Sequence, residues 1–87
     1  MLHLSVCFTY ILECSDGSYY TGKTYDLSQR LNQHNGLLSG GAKYTKPRRP
    51  VKLVHYELCA TNKFACQREV AIKKLTRQQK KQLIEKN

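Results

Sequence analysis

Three places in this sequence combine residue types that move protons or hold charge. Arg30 and His34 stand four residues apart, so on a helix they share a face. A guanidinium there can grip a phosphate through two parallel hydrogen bonds, and an imidazole beside it can exchange a proton near neutral pH. Tyr10 and Tyr20 fall on the two arms of an expected hairpin, and a phenol transfers a proton when cations lower its pKa. Glu69 follows Ala65 by four residues and precedes Ile72 by three, at the edge of an apolar stripe. An acid turned toward the core calls for a cation or a metal ion. Taken singly, each has a plainer account: a solvated helix face, core tyrosines with a polar tip, and an ion pair with a nearby Lys or Arg.

The elements that must position these groups follow from local pattern. Val6 to Cys14 is apolar, β-branched and aromatic, which favours a strand. Ser15-Asp16-Gly17-Ser18 is a turn signal, and Tyr19 to Gly22 is the returning arm. Asp26 can cap a helix over Leu27 to Asn35, with Gln29 completing a capping box and Gly36 ending it. Leu37 to Pro50 is a loop rich in Gly, Lys and Arg. Val51 to Cys59 is a third strand, in which Val51, Leu53, His55 and Glu57 alternate with Lys52, Val54, Tyr56 and Leu58. Thr61 or Asn62 caps a helix from about Lys63 to Leu75. Thr76, boxed by Gln79, caps another over Arg77 to Ile84. The order β-β-α-β-α-α describes an α+β domain with a small antiparallel sheet.

Length and charge narrow the classes. Eighty-seven residues fit one small domain. No run approaches the ~20 apolar residues of a membrane span. Met1 to Tyr10 holds no Lys or Arg and no small-residue cleavage pattern, unlike a signal peptide. Cysteines 7, 14, 59 and 66 match no zinc-finger or C-x-x-C spacing, so reduced core thiols of a cytoplasmic protein are expected. Fifteen Lys and Arg against six Asp and Glu leave a net charge of +9. Such a charge points to a polyanion, most often nucleic acid, although solubility alone also accounts for it.

Together these residues resemble the GIY-YIG nuclease superfamily. The resemblance is to its small stand-alone bacterial members, and these are similar to the nuclease domain at the N-terminus of a bacterial excision-repair protein. The matching stretches are Thr9-Tyr10-Ile11-Leu12, Asp16-Gly17-Ser18, Tyr20-Thr21-Gly22-Lys23-Thr24, Asp26-Leu27, Arg30, His34-Asn35, Gly41 to Thr45, Arg48-Arg49-Pro50, Arg68-Glu69 and Ile72 to Leu75. Phe8-Thr9-Tyr10 stands where Gly-Ile-Tyr would be. The resemblance implies a three-stranded antiparallel sheet flanked by helices, forming a single domain over residues 1–87. It implies a metal-dependent endonuclease that hydrolyses DNA phosphodiesters, possible roles being repair or recombination.

By the same resemblance Glu69 would bind Mg²⁺ or Mn²⁺ with waters completing the shell, as hard cations prefer. Tyr10 or His34 would help deprotonate the attacking water, and Tyr20 would share the site. Arg30 would neutralise the phosphate, and Lys23 would support the phosphate or the proton-transfer tyrosine. Gly22 would let the backbone pack closely. Larger relatives carry a separate DNA-binding domain. Here phosphate contacts are expected from Lys43, Lys46, Arg48 and Arg49 in the loop and from Lys73 and Lys74 in the tail. The competing expectations are a nucleic-acid-binding module that kept the fold without its catalysis, and a basic adaptor with no nucleic-acid role.

The site makes one geometric demand. A two-residue Asp16-Gly17 turn would send Tyr20 to the opposite face from Tyr10. A shared site requires an odd loop, such as Asp16-Gly17-Ser18 with a left-handed residue, or a bulge.

Overall fold

The computed structural model describes residues 6–86. It contains β1 (Cys7–Glu13), β2 (Tyr19–Thr24), α1 (Leu27–His34), a single 3-10 turn (Lys46–Arg48), β3 (Lys52–Cys59), α2 (Asn62–Lys73) and α3 (Arg77–Glu85). The three strands form one antiparallel sheet in the order β2-β1-β3. This is the β-β-α-β-α-α arrangement that the sequence suggests.

The hairpin resolves the parity question. Glu13 pairs with Tyr19, Leu12 with Tyr20 and Tyr10 with Gly22. Tyr10 and Tyr20 therefore share a face. The loop is odd, but it lies one residue earlier than expected: Ser15-Asp16-Gly17 are its three residues. The Gly17 amide bonds the Cys14 carbonyl at 2.9 Å, closing the turn. Gly17 takes the left-handed φ of +82° that a three-residue hairpin needs and glycine tolerates.

Helices begin where side chains cap them. The Asp26 carboxylate accepts from the Gln29 amide, the Thr61 hydroxyl from the Phe64 amide, and Thr76 with Gln79 completes a reciprocal capping box. Each satisfies amides that the first turn leaves without partners. α2 stops at Lys73, two residues before the expected Leu75.

The sheet separates two apolar layers. On one face Tyr10, Leu12, Cys14 and Val51 pack with Tyr20, Leu53 and, from α1, Leu27 and Leu31. On the other, Cys7 and Cys59 pack on Ala65 of α2, and the Thr9 hydroxyl donates to the Ala65 carbonyl at 2.9 Å. All four cysteines are free, with Cys66 partly exposed and the rest buried. The plain alternation expected of β3 fails. Ile11 pairs with His55 and Leu12 with Leu53, so Val54 is an extra residue in a bulge. Leu53 thereby turns to the α1 face, away from His55 and Glu57.

Candidate active site

Tyr10 reaches its partner across the sheet from its own strand. Gly22, opposite it on β2, carries no side chain, and a Cβ there would lie 2.6 Å from the Tyr10 phenol oxygen. The phenol therefore lies over the edge strand, as the glycine was expected to permit. Its oxygen hydrogen-bonds His34 Nε2 at 2.8 Å. The Tyr20 ring sits edge-on to His34 with centroids 5.0 Å apart. Both tyrosines and the histidine thus form one cluster.

His34 is the last residue of α1, where helix carbonyls lack amide partners. Arg49 Nε donates to the His34 carbonyl at 2.6 Å, and Arg49 Nη2 to that of Gln33 at 3.4 Å. A cation at a helix C-terminus is favoured by the helix dipole. Beside it, the Asn35 side chain exchanges two hydrogen bonds with the Val51 backbone, at 2.7 and 2.9 Å. These contacts lock the end of α1 to the segment entering β3. The His34 ring also meets Thr45 through Nδ1 at 2.9 Å, and the Thr45 hydroxyl lies 3.1 Å from the Ala42 carbonyl.

This setting keeps the pair neutral. Burial, joined by the positive charges of Arg30 and Arg49, pushes the His34 pKa down to about 4. Burial pushes Tyr10 up to about 12, although the Arg30 guanidinium beside it pulls the other way. Arg30 and Tyr10 border one narrow hollow with Leu12, Leu27, Leu31 and Leu53. Arg30 is steadied through Nη1, which donates to Gln33 Oε1 at 2.9 Å and to the Gly40 carbonyl at 2.7 Å. A guanidinium has five N–H donors, so the fork retains donors for a phosphate.

Glu69 lies on α2, the helix behind the sheet, and its charge contributes to raising the Tyr10 pKa. Glu69 is ion-paired with Lys73 one turn on, Oε2 to Nζ 2.8 Å, and this contact raises the lysine's pKa. The ion-pair account of Glu69 therefore holds in this conformation. Among the described residues no group of three or more His, Cys, Asp or Glu could hold a metal ion. A lone carboxylate does fit a weakly held, largely hydrated Mg²⁺ or Mn²⁺, which takes one or two carboxylates plus water and phosphate oxygens.

Three of the expected residues are engaged within the fold itself. Lys23 does not join the tyrosines: it points to the α2 face and donates to Asn62 Oδ1 at 2.9 Å. Arg48 is committed to the fold. It pairs with Asp16 at 3.1 Å, donates to the Tyr44 carbonyl at 2.8 Å and lies 3.9 Å over the Tyr44 ring. Arg49 is committed to the end of α1 through its bonds to the Gln33 and His34 carbonyls. Lys43, Lys46, Lys73 and Lys74 are exposed, as phosphate contacts need to be.

Other residues were not singled out by the sequence. Tyr44 stacks on Tyr20 at 5.9 Å. With Tyr19, Tyr20, Thr21, Lys73 and Lys80 it lines an open groove of about 240 Å³ beside the edge strand. The Thr21 hydroxyl in that wall is buried and has no partner. α3 is held against the hairpin by Arg77, which donates to the Gly17 carbonyl at 2.7 Å and lies over the Tyr19 ring. The available signal was the run of tyrosines with lysines spaced along the tail, but only the fold brings them to one groove.

Residues 6–82 match the GIY-YIG catalytic domain family. The chain belongs to the GIY-YIG family. That is a nuclease family, and small single-domain relatives match most of this chain. A UPF0213 protein of Syntrophus aciditrophicus is 51% identical over 86 residues, covering 97% of this chain and 95% of the relative. One from Haloquadratum walsbyi is 50% identical over 78 residues, covering 90% and 85%. A solution NMR structure of an E. faecalis protein aligns with a TM-score of 0.64 at 42% identity, covering 99% of this chain and 90% of that one. That of a UPF0213 protein from Bacillus halodurans aligns at 0.59 and 40% identity, covering 92% and 83%. Among the described residues no helix is long and apolar enough to cross a membrane.

Proposed function

We propose that this GIY-YIG domain is an endonuclease that hydrolyses DNA phosphodiester bonds with the help of a divalent metal ion. The observation that carries the reading is the buried Tyr10–His34 hydrogen bond with the Arg30 guanidinium beside it. Phosphodiester hydrolysis needs an acceptor for the proton of the attacking water and positive charge for the phosphate. A neutral phenol at pH 7 is a poor base by itself. It becomes an effective one if it passes its own proton to His34 as it takes the proton of the water. Arg30 then offsets the negative charge that builds on the phosphate oxygens. Tyr20, edge-on to His34 and stacked on Tyr44, keeps the imidazole from turning.

Glu69 is the residue that would hold Mg²⁺ or Mn²⁺, once Lys73 swings toward phosphate. The ion would supply Lewis acidity and orient the phosphate. Lys43 and Lys46 on the loop, and Lys73 and Lys74 at the end of α2, provide exposed ammonium groups for backbone phosphates. Such contacts position a nucleic acid without reading its sequence.

The test is cleavage of plasmid and branched DNA with Mg²⁺ or Mn²⁺, comparing the unmodified protein with Glu69→Ala and Arg30→Ala. The proposal expects metal-dependent nicking that both substitutions abolish. Equal residual cleavage in all three proteins would mark contamination and defeat it. Salt-sensitive DNA binding with no metal-dependent cutting would instead support a binding module.

A further inference from the structure

We infer that Thr45 acts as a positioning residue, holding His34 in the Nδ1–H tautomer so that Nε2 faces the Tyr10 phenol as a proton acceptor. The catalytic consequence rests on the nuclease reading, whereas the tautomer itself does not. The direction of each hydrogen bond follows from proton counting. The Ala42 carbonyl has no proton, so the 3.1 Å contact is the Thr45 hydroxyl donating. That hydroxyl has one proton, so it can only accept from His34 Nδ1 at 2.9 Å. Nδ1 therefore carries the ring's N–H. In a neutral imidazole Nε2 then holds a lone pair, and the Tyr10 O–H donates to it across 2.8 Å.

The reverse arrangement satisfies fewer groups. If Nε2 carried the proton, Nδ1 would have to accept from Thr45, and the Ala42 carbonyl would keep only the Lys46 amide at 3.2 Å. Before a phosphate is bound, the doubly protonated ring is opposed by what surrounds it. Arg30 on the same helix and Arg49 on the helix end are the charges that act on the ring, and both are positive. Tyr10 and Tyr20 from the sheet pack against it, and burial keeps the Tyr10 phenol protonated. Tyr10, His34 and Thr45 are almost wholly buried, so water offers no substitute partners.

A second observation points the same way. Thr45 occupies the cap position of the 3-10 turn Lys46–Arg48, yet its side chain makes no capping bond there. A threonine at a cap normally spends its oxygen on the turn's own amides. Here the oxygen is turned to His34 instead. The assignment also gives the loop a catalytic use besides carrying Lys43 and Lys46. It delivers the hydroxyl that orients the base.

The experiment labels the protein with ¹⁵N and reads the His34 ring by long-range proton–nitrogen correlation at pH 7, alongside single-turnover cleavage. In the unmodified protein Nδ1 is expected to be protonated and Nε2 not. Thr45→Val removes the hydroxyl at nearly constant volume. It should admit the Nε2–H tautomer and lower kcat roughly 10- to 100-fold with KM little changed. Thr45→Ser restores the hydroxyl and should retain both the tautomer and the rate. An Nε2–H ring in the unmodified protein overturns the inference, as does a Val variant that keeps the Nδ1–H ring. A folded Ser variant that behaves like Val also overturns it. If Val proves unable to fold, the unmodified spectrum and the Ser variant decide the matter. If the tautomers behave as stated but no DNA is cut, the nuclease reading falls and the tautomer assignment stands.

Discussion

Two buried histidines occupy opposite faces of the same sheet, and their partners differ in kind. His34, on the α1 side, meets two hydroxyls, with guanidinium groups as the nearby charges. His55, on the α2 side, meets the Glu57 carboxylate at 2.9 Å. Glu57 in turn takes a two-pronged grip from Arg68, at 2.6 and 2.9 Å, which holds its pKa below the usual carboxylate value. One face closes its charges on one another, as a structural network does. The other keeps an uncharged donor–acceptor chain beside unneutralised cations, an arrangement suited to receiving an anion and moving a proton.

The largest effect should separate the faces by activity. Tyr10→Phe and His34→Gln are each expected to lower the cleavage rate by about 10²- to 10⁴-fold. Glu57→Gln is expected to leave it near the unmodified value. If Glu57→Gln in a folded protein lost as much as Tyr10→Phe, the division between faces would be broken.

Acid should distinguish them next. The unfolded chain protonates His34 near pH 6.5, the folded chain only near about 4. Between these values the unfolded state binds more protons, so this contribution is complete above about pH 6.5 and is lost as pH falls toward 4. Urea titrations at pH 7 and 4.5 should show a decrease in stability of which on the order of 2 kcal/mol vanishes in His34→Gln. An identical decrease in both proteins would remove His34 from the account. Tyr10 acts at the other end of the scale. Its raised pKa withdraws stability as pH climbs from 10 toward 12.

A smaller effect is expected on the α2 face. Arg68→Ala leaves Glu57 without its fork. The pair is partly solvent-exposed, so the cost should be about 1–2 kcal/mol, read as a lower Tm. A Tm within error of the unmodified protein would show that the grip adds nothing. The smallest effect belongs to the loop. Lys46→Ala should weaken DNA binding modestly and reduce the salt slope by about one. Arg48→Ala should lower Tm with less change in that slope, because its guanidinium is already engaged by Asp16 and Tyr44. Equal slopes for the two variants would undo this division of the basic residues.

Much of this layout is legible in the sequence, because it depends on neighbours. Asp26, Thr61 and Thr76 announce helix starts, and Gly17 announces the turn. The demand for an odd loop follows from strand periodicity alone. What escaped depends on contacts distant in the chain. Val54 reads as an ordinary alternating residue until the register with β1 reveals the bulge. Arg48 and Arg49 look like a phosphate-binding pair, and only the folded loop brings them to Asp16 and the end of α1. Thr45 carries no motif that announces a histidine partner eleven residues earlier. Lys23 follows Gly22 directly, but strand alternation turns it to the other face.

Gly22 has a consequence that concerns size. A hydrogen atom is all that the chain places under the Tyr10 oxygen, where even a methyl group would overlap it. The missing side chain works as an aperture in the rim of the sheet. Its width is one Cβ, and it governs how closely anything outside can approach the phenol. Alanine at this position would force the tyrosine aside and shut that opening without touching a polar group.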